Sequence, residues 1–532
     1  MEVSVVGNSQ AKAGLATSRA VLFRPRIGDS STFSSKSRVF TGQSQGSKRG
    51  KGGRRLSSTP VRVEEVLRRS LLSPSDVESF RQPDKVRLWV GLPVDSVTDG
   101  KCVNHARAIV AGLKALKLLG IDGVEIPAWW GVVEKEGRGK YEWSGYLALA
   151  EMVCEAGLEL HVTLCFHGYR KQQQPVIPLP DWVMRVGEDD SSSIFFTDRS
   201  GRQYKDCLSL AVDELPVLDG RTPMEVYRDF CESFKSSFSA YIGSSIMGVS
   251  MGLGPDGELR YPSLQGCESS QVERVGAGEF QCYDRNMLKL LKEAAEACGN
   301  PLWGLGGPHD ASGYDKSPSS NRFFKDKGGS WESLYGEFFL TWYSNQLIRH
   351  GDRLLSLASS IFGDSGVTVS GKIPLAYSWN EIDSHPLELT AGYYSTVNRD
   401  GYEEMAKMFA KNSCMVMLPG MDIRDDSARQ LLGQIRAACR KHQVRVSGEN
   451  SLLEGDIEQV KDVCTADDID SFFYQRMGAC FFSPEHFPQF TAFVGSTKRP
   501  RPHPDDIPKE EEERAEESLA LTSDSILQMQ TA

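Results

Sequence analysis

Two acidic side chains stand where a strand-like run breaks into a turn. One is Glu258, in Gly252-Leu253-Gly254-Pro255-Asp256-Gly257-Glu258-Leu259-Arg260-Tyr261-Pro262-Ser263. Gly and Pro let a backbone turn sharply there and aim a carboxyl away from the strand. The other is Glu449, in Val446-Ser447-Gly448-Glu449-Asn450. A carboxyl pair across a cleft is what glycoside hydrolysis uses. One protonates the leaving oxygen, and the other activates water or attacks directly. For any single Glu the plain reading is a solvated surface residue; the place of these two at strand ends weighs against it.

Those carboxyls need rigid elements beneath them. Short apolar runs alternate with longer helical patterns such as 106–119 and 338–357, as in repeated βα units with a parallel sheet. Strand candidates are 86–92, 123–126, 158–166, 246–253, 367–375, 415–418, 444–446, 301–303 and 472–474. That is nine candidates for eight places, if the fold is an α/β (β/α)8 (TIM) barrel with long loops forming the active-site mouth. Such barrels collect their chemistry at the carboxyl ends of the strands. His167, Glu258, Lys372, Arg424, Glu449, Asn450 and Arg476 all fall at or just after strand candidates, so the fold predicts that they converge.

The chain has 532 residues, 40% hydrophobic and 25% charged, with net charge −10. An acidic chain has no general attraction for nucleic acid or anionic lipid. A neutral polymer requires none. No apolar run approaches the ~20 residues that span a bilayer. The 12 cysteines include no C-x-x-C pair, and neither a disulfide framework nor a metal site is expected. Residues 1–62 are rich in Ser, Gly, Arg and Lys, with Glu2 and Asp29 the only acids. That composition reads as a disordered transit peptide; its rival, a nucleic-acid-binding arm, lacks interleaved aromatics. A linker follows at 63–84, the barrel is expected at 85–497, and the polar 498–532 reads as a disordered acidic tail.

The residues around Glu258, Gly-Glu-Leu-Arg-Tyr-Pro-Ser, resemble the catalytic-acid signature of the plant and bacterial β-amylases. Similarity extends through Trp129-Trp130-Gly131-Val132-Val133-Glu134, Gly278-Glu279-Phe280-Gln281-Cys282-Tyr283-Asp284 and Glu388-Leu389-Thr390-Ala391-Gly392-Tyr393-Tyr394. The resemblance implies an inverting hydrolase that releases maltose from the non-reducing ends of α-1,4-glucans (starch, maltooligosaccharides). Glu258 would be its general acid and Glu449 its general base, with no metal or organic cofactor. His167, Lys372, Asn450, Ser451 and Arg476 match sugar-contacting positions. For His167 alone a satisfied core histidine would be the plainer reading. With the N-terminal composition, the resemblance places the protein in the chloroplast or plastid stroma.

Departures from the family pattern cluster at that site. The family lid, His-x-Cys-Gly-Gly-Asn-Val-Gly-Asp, is replaced by His167-Gly168-Tyr169-Arg170-Lys171-Gln172-Gln173-Gln174-Pro175. Pro127 stands where a sugar-binding Asp is usual, Pro419 in place of a mobile Thr, and Tyr377 in place of a His. Asp256 adds a negative charge two residues from Glu258. Two expectations stay open. One is a starch-degrading β-amylase of reduced activity. The other is a catalytically inactive relative that regulates starch breakdown by binding glucan or a partner enzyme.

Overall fold

Eight parallel strands close on themselves, each followed by a helix on the outside. The computed structural model describes residues 86–498 apart from 172–174, 190–192, 265–275, 312, 315, 379, 452–456 and 465–467. The expected transit segment, the linker and the tail past Lys498 lie outside the described residues. The strands are β1 (Arg87–Gly91), β2 (Gly123–Trp129), β3 (Glu159–Cys165), β4 (Phe195–Thr197), β5 (Gln203–Leu208), β6 (Ile246–Met251), β7 (Thr368–Lys372), β8 (Met415–Leu418), β9 (Val446–Glu449) and β10 (Ile469–Tyr474). The barrel order is β1-β10-β9-β8-β7-β6-β3-β2, and β4 and β5 form a separate antiparallel pair. Helices α1 (Ala106–Leu119), α2 (Ser144–Glu155), α3 (Pro223–Ser237), α4 (Leu334–Phe362), α5 (Gly401–Lys411), α6 (Asp426–Lys441), α7 (Ile457–Cys464) and α8 (Phe487–Lys498) follow the barrel strands in turn.

The pattern behind these elements is simple. In α1, Ile109, Gly112, Leu113 and Leu116 are buried, which is one helical face toward the sheet. The chain then leaves the helix at Gly120, at φ 80°, a conformation glycine adopts without a Cβ clash. Strand residues alternate between two apolar environments. Leu88 and Val90 belong to the layer between sheet and helices. Trp89, Met417 and Phe473 pack together as a separate cluster. Trp89 stacks on Phe473 at 5.6 Å between ring centroids, and His161 meets the same Phe473 at 4.8 Å. Burial pushes the His161 imidazole down to about 3, with Arg87 adding to the effect. A neutral ring is what this packing can hold.

The surplus strand candidate is 301–303. Pro301–Gly304 is a 3-10 turn, in which Trp303 packs against Phe338 of α4 at 5.2 Å. Proline at the first position suits a helical turn, whereas it removes a ladder donor from a central strand. The β4–β5 hairpin had no strand candidate, because its two short arms lack a clean apolar alternation. The candidate 444–446 is displaced toward the C-terminus. β9 starts at Val446 and carries Glu449 as its final residue.

Pro127 nevertheless sits inside β2. The Leu92 N–H donates to the Glu125 carbonyl at 2.9 Å, so Glu125 turns its backbone groups toward β1. Pro127, two residues on, faces the same side, but the β1–β2 ladder ends at Gly91–Glu125. The missing N–H therefore breaks no ladder bond.

Candidate active site

A cavity of about 1260 Å³ opens among the carboxyl ends of the strands. Glu125, Pro127 and Trp129 of β2 line it, as do Thr163 and Cys165 of β3 and Lys372 of β7. Glu449 of β9 and the following Asn450, Ser451, Gln475 and Arg476 complete its inner wall. Met417, from the Trp89–Phe473 cluster, reaches the cavity too. His167, Tyr169, Lys171, Asp256 and Gly257 come from the loops above. A second groove, about 570 Å³ and lined by Trp303, Leu334, Phe338 and Trp342, lies in the outer helical layer. It holds none of the expected residues.

Lys372 is the centre of charge. Its Nζ donates to Glu449 Oε1 at 2.6 Å. Burial works against the ammonium, but Glu449 foremost, then Glu258 and Glu125, outweigh it and raise the Lys372 pKa. Glu449 is 8% exposed, and its other oxygen lies 3.4 Å from the Gln475 amide nitrogen. Both oxygens of the expected base are thus engaged by the protein.

Glu258 is placed differently. Its Oε2 accepts from Arg260 Nε at 2.7 Å. The same guanidinium reaches Asp256 Oδ2 through Nη2 at 2.5 Å. Asp256 and Gly257 line the cavity, and the Glu258 side chain that follows them is 18% exposed. The turn explains this. Asp256 at φ 54° and Gly257 at φ 80° are consecutive left-handed residues, which fold the chain back so that Leu259 N–H donates to the Lys372 carbonyl at 2.8 Å. Gly257 closes over His167, whose Nε2 would lie 3.3 Å from any Cβ at that position. The like charge of Asp256 thus comes with a shared counter-ion. Burial works against the Asp256 carboxylate, yet Arg260 and Lys171 hold its pKa below the ordinary value. Arg260 in turn stays firmly cationic, because Glu258 and Asp256 more than offset its burial.

His167 is buried, and burial lowers its pKa. Its Nδ1 lies 2.8 Å from the Gly168 carbonyl, which can only accept. The neutral ring therefore donates through Nδ1 and presents Nε2 as an acceptor, the form suited to a sugar hydroxyl. Asn450 clamps β9 to β10: Nδ2 donates to the Gln475 carbonyl at 2.8 Å and Oδ1 accepts from Gln475 N–H at 2.6 Å. Ser451 is held by Asp422, through N–H at 2.6 Å and Oγ at 3.0 Å. Arg476 Nη1 donates to the Leu92 carbonyl at 2.7 Å and lies 3.7 Å from Glu125.

Of the sequence-predicted residues, the structure brings His167, Lys372, Glu449, Asn450, Ser451 and Arg476 to one cavity, together with the replacement Pro127. Arg424, Tyr377 and Pro419 are not among its lining residues, and Glu258 directly follows the lining residues Asp256 and Gly257. Arg424 is exposed just before α6. Trp129 faces the cavity with its Nε1 donated to the Val94 carbonyl at 2.8 Å. Trp130 is wholly buried among Phe166, Trp182 and Tyr227, so of the tryptophan pair Trp129 alone lines the cavity. The described flanks of the loop that replaces the lid are pinned. Tyr169 and Ile177 exchange backbone hydrogen bonds at 2.7 and 2.9 Å, and Gly168 N–H donates to Asp206 of β5 at 2.6 Å. Glu125 and Gln475 were missed from the sequence. The available signal for Glu125 was a lone carboxylate within the apolar run 123–126.

A closed parallel barrel with carboxylates, a lysine and an amide at its strand ends has the architecture of a barrel glycoside hydrolase. The profile of Glycosyl hydrolase family 14 matches residues 89–498, and the chain belongs to that family. It is 50% identical to "Inactive beta-amylase 9" of Arabidopsis thaliana, with 100% of both chains covered. It is 39% identical to "Beta-amylase 1, chloroplastic" of the same plant, over 77% of this chain and 75% of that one. "Beta-amylase 2, chloroplastic" of Oryza sativa subsp. japonica is also 39% identical, over 83% and 82%. Among solved structures, the catalytic domain of β-amylase from Paenibacillus polymyxa matches at TM-score 0.64 and 23% identity, covering 78% of this chain and 99% of that one. That likeness shows the fold.

Proposed function

We propose that this protein binds α-1,4-glucan chains in the barrel-mouth cavity and hydrolyses them slowly or not at all. The observation that carries this reading is the altered cavity wall: Pro127 lines it where the family has a sugar-binding Asp, and the flanks of the loop that replaces the lid are pinned by the Tyr169–Ile177 pair. Glu258 stands beside this wall, with its Oε2 accepting from Arg260 Nε at 2.7 Å. The remaining wall still suits a neutral sugar. His167 offers an acceptor, Lys372 and Arg476 are donors, and Trp129 supplies an apolar face beside them. Pro127 offers only a ring where a carboxylate would take hydroxyl protons.

Such a protein would act by holding glucan ends, or by presenting a glucan-loaded surface to a starch-degrading enzyme. Two of the relatives above carry chloroplastic in their names. With the basic, acid-poor N-terminal composition, this supports residence in the plastid stroma. Titration calorimetry of the full chain with maltoheptaose tests the reading. Saturable 1:1 binding at micromolar to millimolar Kd is expected, with no maltose formed during the titration. No binding up to several millimolar ligand would overturn it.

A further inference from the structure

Glu125 is a buried charge with an unfinished set of partners. It is 4% exposed, in the middle of a barrel strand. By strand periodicity it shares an inward face with Pro127 and Trp129, and all three line the cavity. It stands one pleat repeat, about 7 Å, below Pro127. Its Oε2 is met by the Gln475 amide nitrogen at 3.3 Å and by Arg476 Nη1 at 3.7 Å. Its Oε1 takes no hydrogen bond from the described residues, and the residue itself lines the cavity.

Gln475 sets the direction of that carboxylate. Its amide nitrogen lies between Glu125 Oε2 and Glu449 Oε2, at 3.3 and 3.4 Å. Flipping the amide would put its oxygen against two carboxylates, so chemistry fixes the orientation. Room for the amide exists because residue 91 is glycine, where a Cβ would lie 2.0 Å from Gln475 Oε1. Gln475 is therefore a positioning residue, and Oε1 is the acceptor of this cavity-lining carboxyl that it and Arg476 leave open.

We propose that Glu125 Oε1 accepts a hydrogen bond from a hydroxyl of the glucose unit that reaches the cavity floor, supplying from one pleat lower the acceptor that Pro127 cannot. This rests on the glucan-binding reading above. A buried carboxylate that costs desolvation is accounted for when a hydroxyl donor completes it. The ligand class is a neutral sugar with free hydroxyls at a chain end.

The test is calorimetric titration of the full chain with maltoheptaose and with maltose analogues, each lacking one hydroxyl of the terminal glucose. Glu125→Leu is expected to weaken maltoheptaose at least tenfold. Glu125→Gln, which keeps an acceptor of the same shape, is expected to weaken it less. For one deoxy analogue the difference between wild type and Glu125→Leu should vanish, because the hydroxyl concerned is already absent. Thermal midpoints and circular dichroism of the variants, recorded beside the titrations, show that they are folded. A penalty of equal size for every analogue would overturn the direct contact, since a structural role predicts that. Unchanged affinity in Glu125→Leu, with wild type binding normally, would overturn the contact and leave the glucan-binding reading standing. Wild type that binds no glucan would overturn both.

Discussion

A chain carrying Pro127→Asp and Pro419→Thr, with residues 168–175 replaced by the family lid, should release maltose from soluble starch about 100-fold faster than the wild type. Each change restores something specific. Asp at 127 returns a carboxylate to the cavity wall, next to Trp129 on the inward face of β2. Thr at 419 removes the ring that stiffens the turn after β8. The family lid replaces a loop whose flanks are held by the Tyr169–Ile177 pair and by Gly168–Asp206. Lids exclude water and complete a site on closure. At about 1 kcal/mol for each recovered polar interaction, three amount to roughly 100-fold in rate. The sum is approximate, because neighbouring changes need not add. Glu258→Gln placed on this background should abolish the gain. A restored variant no faster than wild type would show that the replaced residues are not the cause of low turnover.

Lys372→Met should destabilise the fold by about 3–5 kcal/mol, the usual cost of removing one partner of a buried ion pair. Lys372 Nζ lies 2.6 Å from Glu449 Oε1. Glu449 is almost fully enclosed, and without the ammonium its remaining partner is the neutral Gln475 amide. The thermal midpoint should fall by several degrees. Lys372→Met combined with Glu449→Gln should recover most of that loss, since no charge is then left unpaired. A double-mutant cycle by thermal denaturation reads the coupling directly. If the single variant unfolds at the wild-type temperature, the pair is not the electrostatic centre of the cavity.

The barrel was legible in the sequence because its signals are local. Eight of nine strand candidates are strands. The surplus one, 301–303, misled because Leu302 and Trp303 are apolar for another reason: they belong to a turn on the outer helical layer. The cavity wall was partly legible too. His167, Lys372, Glu449, Asn450, Ser451 and Arg476 stand at strand ends and meet there. What could not be read was direction. Glu258 follows a strand as expected, and the left-handed pair Asp256–Gly257 brings it and Asp256 onto one Arg260 guanidinium. Only the three-dimensional turn decides which of those neighbours a carboxylate meets. Glu125 was hidden for the opposite reason. It lies inside an apolar run, and nothing local says that it faces a cavity rather than another strand's backbone. Tyr377 and Pro419 depart from the family pattern, yet they lie outside the cavity lining. The structure thus places most of the weight on Pro127 and on the pinned flanks of the loop that replaces the lid.

The central claim is that this barrel keeps a glucan cavity while the contacts that would hold sugar for reaction have been replaced. The most direct test is maltose release from soluble starch by the full chain at high enzyme concentration, beside its Glu258→Gln variant and an active β-amylase of the same family. The account predicts that wild type turns over at no more than about a thousandth of the active enzyme's rate, with Glu258→Gln close to it. Wild type approaching the active enzyme, with Glu258→Gln abolishing that activity, would contradict it.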